Sequence, residues 1–258
     1  MDRARAYPAA LLGDGGRALA DLVLPRTCGG CALPGAVLCP RCRSWLAHPR
    51  VAQPRRHPPG FPPTVAAGPY AGPVRPAVLA FKEHGRAELA GPLGTALALA
   101  VAAVLTALPP DGGGPVLLVP VPSSAAAVRQ RGRDHARELA GRAAAELRAA
   151  GVPARPAPLL RRAAGTRDSA GLTAHERSAN LAGRFTPRRC ARCPPGARLV
   201  LVDDVVTSGA TLVEAARALR ALSGPGAPPV LAAVVAATPR RGRTPVPDPG
   251  GATFTVRR

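Results

Sequence analysis

Two adjacent carboxylates, Asp203 and Asp204, precede the stretch Thr207-Ser208-Gly209-Ala210-Thr211 in a chain of 258 residues. Hydroxyls on Thr207, Ser208 and Thr211 are phosphate donors, and small Gly209 and Ala210 let backbone N–H groups come close to an anion at the start of a helix. Acids beside such a loop would repel a ligand made only of phosphate. They fit one that also carries hydroxyls or a divalent cation, such as a ribose phosphate with magnesium. Gly-x-x-x-x-Gly-Lys is absent, so a phosphate monoester is expected rather than a nucleoside triphosphate. Helix-end electrostatics contribute only about 0.3–1 kcal/mol when exposed, which leaves most of the grip to backbone and hydroxyl hydrogen bonds.

A second group of reactive side chains lies near the front. Cys28-Gly-Gly-Cys31 and Cys39-Pro-Arg-Cys42 are separated by seven residues, a pattern in which four thiolates suit tetrahedral zinc. The alternatives are paired disulfides, free thiols or an iron–sulfur cluster. So small a segment has little apolar core, and a bound metal would supply most of its folding energy. Cys190 and Cys193 form a third pair in a Pro- and Arg-rich loop and are given no role. His48 and His57 are read as solvated residues rather than ligands.

A third segment, Val119-Pro120-Val121-Pro122-Ser123-Ser124 running to Arg131 and His135, leaves the end of a strand and carries arginines. Pyrophosphate is a good leaving group only when its charge is neutralised, and guanidinium forks with magnesium do that. Lys82 is the single lysine in a chain otherwise supplied with arginine, and its compact ammonium meets a need that a planar guanidinium does not.

The elements that would position these groups are legible as apolar patterns. Leu199 to Val202 is a continuous β-branched and leucine run suited to a buried parallel strand, and Leu212, Ala215, Ala216, Leu219 and Leu222 follow at helical spacing. Val116 to Val121 and Val230 to Ala237 are further buried strands, and a helix spans Arg137 to Ala149. Val65 to Tyr70 and Val74 to Lys82, broken by glycines and prolines, read as short strand or hairpin material. Leu89 to Leu108 is uncharged and approaches membrane-spanning length, but its larger residues form one stripe, which indicates a helix packed on a sheet. The expected class is an α/β parallel sheet flanked by helices. The expected divisions are an N-terminal segment (1–22), a cysteine module (23–48), a Pro/Arg-rich linker (49–64), the α/β domain (65–240) and a tail (241–258).

The formal charge of +20 predicts salt-sensitive attachment to polyanions. Scarce aromatics argue against a base-stacking platform. No cleavable leader is expected from the short apolar start, and cytoplasmic residence without a membrane span is the expectation.

Four apolar residues, two acids, two variable positions (Val205 and Val206) and Thr207-Ser208-Gly209-Ala210-Thr211 resemble the signature of type I phosphoribosyltransferases. That resemblance implies that Asp203 and Asp204 hold the ribose hydroxyls of phosphoribosyl pyrophosphate, with Mg2+, and that residues 205–211 hold its 5′-phosphate. Ser123, Ser124, Arg131 and Lys82 would meet the pyrophosphate. The cysteine pairs, Phe81-Lys82-Glu83-His84-Gly85-Arg86, Arg131-Gly132, Ala170-Gly171-Leu172, Glu176-Arg177, Asn180-Leu181 and the acid loop, in that order, look like the ComF family. Its members join a zinc-ribbon-like module to a phosphoribosyltransferase domain with a small hood, and the family is associated with DNA uptake. The resemblance implies structural Zn2+ on Cys28, Cys31, Cys39 and Cys42, and single-stranded DNA or a DNA-uptake helicase as partner. Two departures, Arg133-Asp134-His135 where the family often has an aromatic followed by Asn-Gln, and Ser169 where it often has Gln, leave the acceptor side open. The functional alternatives are a transferase, a non-catalytic ligand-responsive binding module, and nucleobase salvage.

Overall fold

The apolar runs at Val65, Val116, Leu199 and Val230 form strands, and with two short border strands they build a mostly parallel sheet of six. The computed structural model describes residues 26–54, 58–106, 114–163, 183–189, 193–222 and 228–239. In chain order the elements are α1 (Pro40–Ser44), β1 (Arg50–Val51), β2 (Thr64–Pro69), α2 (Val74–Lys82), a 3-10 turn (Ala87–Leu89), α3 (Ala90–Thr106), β3 (Val116–Pro120), α4 (Ala125–Arg131), α5 (His135–Ala149), β4 (Ala154–Pro156), β5 (Leu160–Arg162), β6 (Phe185–Pro187), β7 (Arg198–Val206), α6 (Ala210–Arg220) and β8 (Leu231–Ala237).

The sheet order is β1-β2-β8-β7-β3-β4, and β5 pairs with β6 in a separate two-stranded sheet. β2, β8, β7, β3 and β4 run parallel, so their carboxyl ends share one edge, while β1 is antiparallel at the border. Successive residues of a strand face opposite sides. Leu118, Val200 and Val202 accordingly enter one core cluster with α3 and α5, while Leu117, Val119, Leu199 and Leu201 enter another with α6. Both faces are covered, which is why these strands read as unbroken apolar runs.

The helical stretch Ala87–Thr106, the 3-10 turn continued by α3, is long and apolar enough to cross a membrane. Its burial extends beyond the leucine stripe to Ala90, Gly94 and Ala98, because it lies between the sheet and α5. A Cβ at Gly94 would stand 2.4 Å from that of Arg142, so the two helices approach almost backbone to backbone.

Two local expectations change. Val74 to Lys82 is a helix, not strand material. Val74, Ala77, Val78 and Phe81 are buried at helical spacing, and Pro76 lies in the first turn, where the missing N–H would have had no intrahelical partner. The stretch 49–64 is more than a tether: Arg50 and Val51 pair with β2, and Phe61 packs beneath the loop that precedes α6.

The cysteine module is likewise built into the domain. Cys28, Leu38, Cys42 and Leu46 belong to the same core cluster as Leu89 and Leu93. A Cβ on Gly68 of β2 would fall 2.2 Å from the Trp45 carbonyl oxygen, and one on Gly72 would fall 2.8 Å from the Trp45 ring, so the module is seated through glycines. Arg86 also donates to the Thr27 carbonyl at 2.6 Å. The segments around Ser169, Ala170 to Leu172, Glu176-Arg177 and Asn180-Leu181, together with His57, Cys190, 1–22 and 241–258, lie outside the described residues.

Candidate functional site

Strand order alone predicts where a ligand would enter. From β3 the chain first adds β4 on one side and later β7 on the other, so the loops leaving β3 and β7 diverge and open a crevice at the carboxyl edge. A cleft of about 260 Å³ occupies that place, lined by Ser123 and Ser124 after β3 and by Asp203, Asp204 and Thr211 at the end of β7 and the start of α6.

The acids are held by their own backbone and by Lys82. Asp203 accepts the Asp204 N–H at 2.9 Å and Asp204 accepts that of Val205 at 2.7 Å. The Lys82 ammonium, delivered by the last residue of α2, pairs with Asp204 at 2.7 Å. Burial works against the Lys82 charge, but the Asp204 carboxylate outweighs it and raises the ammonium's pKa. Burial first, and then the neighbouring Asp204 charge, push the Asp203 carboxyl from 3.8 up to about 8. The pair therefore holds one acid paired with lysine and one whose burial favours the protonated form.

Beyond the acids, Val205 and Val206 are still strand, and Thr207 and Ser208 are exposed. Gly209 caps α6 with φ +79, and its missing Cβ would lie 2.7 Å from the Phe61 ring and 3.2 Å from Pro54. A left-handed turn pressed against an aromatic edge admits only glycine. At the start of α6, an 11-residue helix, Thr211 lines the cleft and the Ala210 N–H donates to the Ser208 hydroxyl at 3.5 Å.

On the other wall Ser124 caps α4 by accepting the Ala127 N–H at 3.1 Å, an interaction worth about 1 kcal/mol. Arg131 lines the cleft at the far end of α4 but forks onto Glu83, at 3.0 and 2.8 Å. His135 lines it too, edge-on to Phe81 at 5.0 Å between ring centroids. Burial, then Arg133 and Arg131, lower its pKa. Arg133 stacks over Phe81 at 4.7 Å and pairs with Glu138, so this wall is braced.

Of the residues that sequence reasoning named, Lys82, Ser123, Ser124, Arg131, Asp203, Asp204 and Thr211 line a single cleft, whereas Val205, Val206, Thr207, Ser208, Gly209 and Ala210 are not among its lining residues. That reasoning missed Glu83 as the partner of Arg131, Lys82 as the partner of Asp204, and two arginines of the β5–β6 sheet, Arg162 and Arg184, that also line the cleft. Strands of three residues carry too short a pattern to be read from sequence.

The second site is the cysteine cluster. The sulfurs of Cys28, Cys31, Cys39 and Cys42 all lie within 4.8 Å of one another, with Cys31 and Cys39 at 3.7 Å. A tetrahedral zinc with sulfurs at about 2.3 Å needs sulfur–sulfur separations of about 3.8 Å, so the donor set fits. Burial raises the Cys28 thiol, but the amides of Cys39, Cys31 and Gly30 outweigh it and bring the thiol down to about 6. Burial, reinforced by the neighbouring sulfurs, pushes Cys42 upward. Such amide-to-sulfur bonds prepare a thiolate for a metal. Cys193, of the third pair, is half-buried and its thiol is raised by burial.

No family model matches this chain, and no curated protein is similar to it.

Proposed function

We propose that this chain is a phosphoribosyltransferase-type protein of the ComF kind, whose cleft takes phosphoribosyl pyrophosphate with magnesium. One observation carries the reading. The acid pair, Thr211 at the start of α6, and Ser123, Ser124 and Arg131, drawn from separate parts of the chain, meet in one cleft at the switch point of a parallel sheet.

In this reading Asp203 and Asp204 face the ribose hydroxyls, the α6 amides with Thr207, Ser208 and Thr211 hold the 5′-phosphate, and Ser123, Ser124 and Arg131 meet the pyrophosphate. Magnesium, taken by the carboxylates and phosphates, supplies charge neutralisation. Positive charge developing on the sugar ring would be stabilised by the Asp204 carboxylate and by Asp203 once magnesium has displaced its proton. Structural zinc fills the four-cysteine cluster. The separate β5–β6 sheet serves as the small hood. Cytoplasmic residence is part of the same proposal. So is a partner of the single-stranded DNA or DNA-uptake helicase type, met by the cysteine module. Between Asp21 and Glu83 the chain has no other acidic residue.

A second reading, a non-catalytic module that senses the same ligand, is favoured by the pairing of both candidate pyrophosphate cations with acids, Lys82 with Asp204 and Arg131 with Glu83. Calorimetric titration of the full chain with phosphoribosyl pyrophosphate and magnesium tests the common premise. Binding is expected, and it should be lost in Asp203→Asn/Asp204→Asn. Absence of binding in wild type ends both readings. A pyrophosphate-release screen over nucleobases then divides them: release supports the transferase, and binding without release supports the sensor.

A further inference from the structure

The connector between the cysteine module and the sheet runs beneath the turn that carries Thr207, Ser208 and Gly209, and it is fastened there. The Ala52 N–H donates to the Thr64 carbonyl and the Ala232 N–H of β8 to the Pro63 carbonyl, each at 2.8 Å. The Phe61 N–H closes a tight turn on the Pro58 carbonyl at 3.1 Å. Arg220, the last residue of α6, reaches the Gly60 carbonyl at 3.4 Å. Held in this way between β8 and α6, Phe61 packs on the apolar cluster that contains Leu212 and Ala216.

Ring and turn meet at Gly209. A Cβ there would stand 2.7 Å from Cε2 and 2.8 Å from Cδ2 of Phe61, and 3.2 Å from Pro54. Gly209 is buried, whereas Thr207 and Ser208 beside it are exposed. The turn thus rests its inner side on an aromatic edge and turns its hydroxyl-bearing side outward. Glycine is the most permissive of residues and does not by itself hold one conformation at φ +79. A rigid ring packed against its backbone supplies the restraint, as a binding turn needs from its supporting residues.

We propose that Phe61 is a positioning residue for the 5′-phosphate, acting through Gly209 to fix Thr207, Ser208, Thr211 and the start of α6. The inference rests on the phosphoribosyltransferase reading of that turn. It goes beyond that reading by making the connector, whose Phe61 does not line the cleft, part of the phosphate grip. The opposite wall owes nothing to this ring: Ser124 is held by capping α4, and Arg131 by its fork on Glu83. Loss of the ring edge therefore weakens one half of the ligand's hold and spares the other.

The test is calorimetric titration of the full chain with three probes: phosphoribosyl pyrophosphate with magnesium, ribose 5-phosphate, and magnesium pyrophosphate. Phe61→Leu and Phe61→Ala should weaken ribose 5-phosphate by about tenfold or more, because a misplacement of about 1 Å costs up to roughly a hundredfold. Both should leave magnesium pyrophosphate affinity as in wild type. Phe61→Tyr keeps the ring edge and should restore ribose 5-phosphate affinity. Thermal melting shows which variants fold, and where Phe61→Ala does not, Phe61→Leu decides. Unchanged ribose 5-phosphate affinity in Phe61→Leu overturns the proposal. So does an equal loss for ribose 5-phosphate and magnesium pyrophosphate, the result of a general loosening of the fold. Wild type that binds phosphoribosyl pyrophosphate but not ribose 5-phosphate overturns it too. Failure of wild type to bind phosphoribosyl pyrophosphate instead removes the reading beneath it, so the two failures are distinguishable.

Discussion

The four-cysteine cluster and the acid cleft are assembled on opposite plans. All four sulfurs come from one short segment, and their order in the chain already gives the donor set; folding only draws them within 4.8 Å. The cleft takes Lys82, Ser123, Arg131 and Asp204 from regions that meet only because β2, β3 and β7 lie in one sheet. In the cluster, amide hydrogen bonds prepare the Cys28 thiol to become a metal-binding thiolate. In the cleft an internal lysine pairs with one acid, and burial favours the protonated form of the second. A site made of local ligands depends on its metal for shape, whereas a site made of distant ligands inherits its shape from the core.

The largest test of this contrast is Cys28→Ser. Cys28 is 2 % exposed and shares the main core cluster, so losing it removes both a ligand and packing. We expect destabilisation by more than about 4 kcal/mol, in the range associated with loss of a structural metal. Metal content and thermal melting measure it, and an unchanged melting temperature would show that the cluster does not support the domain.

Asp203→Asn tests the other region through pH. Its carboxyl rises from 3.8 to about 8 on folding, so between those values the folded chain keeps a proton that the unfolded chain releases. Stability should therefore fall as pH rises across that window. Asparagine removes this contribution to the slope. Denaturant midpoints at several pH values measure it, and equal slopes in variant and wild type would refute the assignment. Lys82 does not confuse the result, because its raised pKa gives stability that is present below 10.5 and lost only above it.

The smallest effect on stability is expected from Glu83→Gln. Its pair with Arg131 is partly exposed, and such pairs contribute about 0.2–1 kcal/mol. Freed from Glu83, Arg131 should tighten the binding of inorganic pyrophosphate several-fold in titration. No gain would place that guanidinium outside the ligand's reach.

Much of this contrast was legible in the sequence. The strands at Val116, Leu199 and Val230 announced themselves through continuous apolar runs, and the cysteines and acid loop through fixed spacing. Helix α2 was hidden because Pro73 and Pro76 read as breakers, although proline is tolerated in a first turn. The Lys82–Asp204 and Arg131–Glu83 pairs were invisible because no local pattern links residues so far apart in the chain. Arg162 and Arg184 were missed because β5 and β6 are too short to show a period and their importance arises only where they meet the cleft.

The borders of the main sheet are its shortest strands. β1 has two residues, beginning with Arg50, and β4 has three and stops at Pro156. Unpaired strand margins invite a second molecule to add itself, and brevity, charge and a proline that lacks a donor each discourage that addition. The longest strand, β7 with nine residues, is kept inside between β8 and β3. The protein thereby protects its most adhesive backbone and should resist self-templated fibre growth as long as the sheet remains closed.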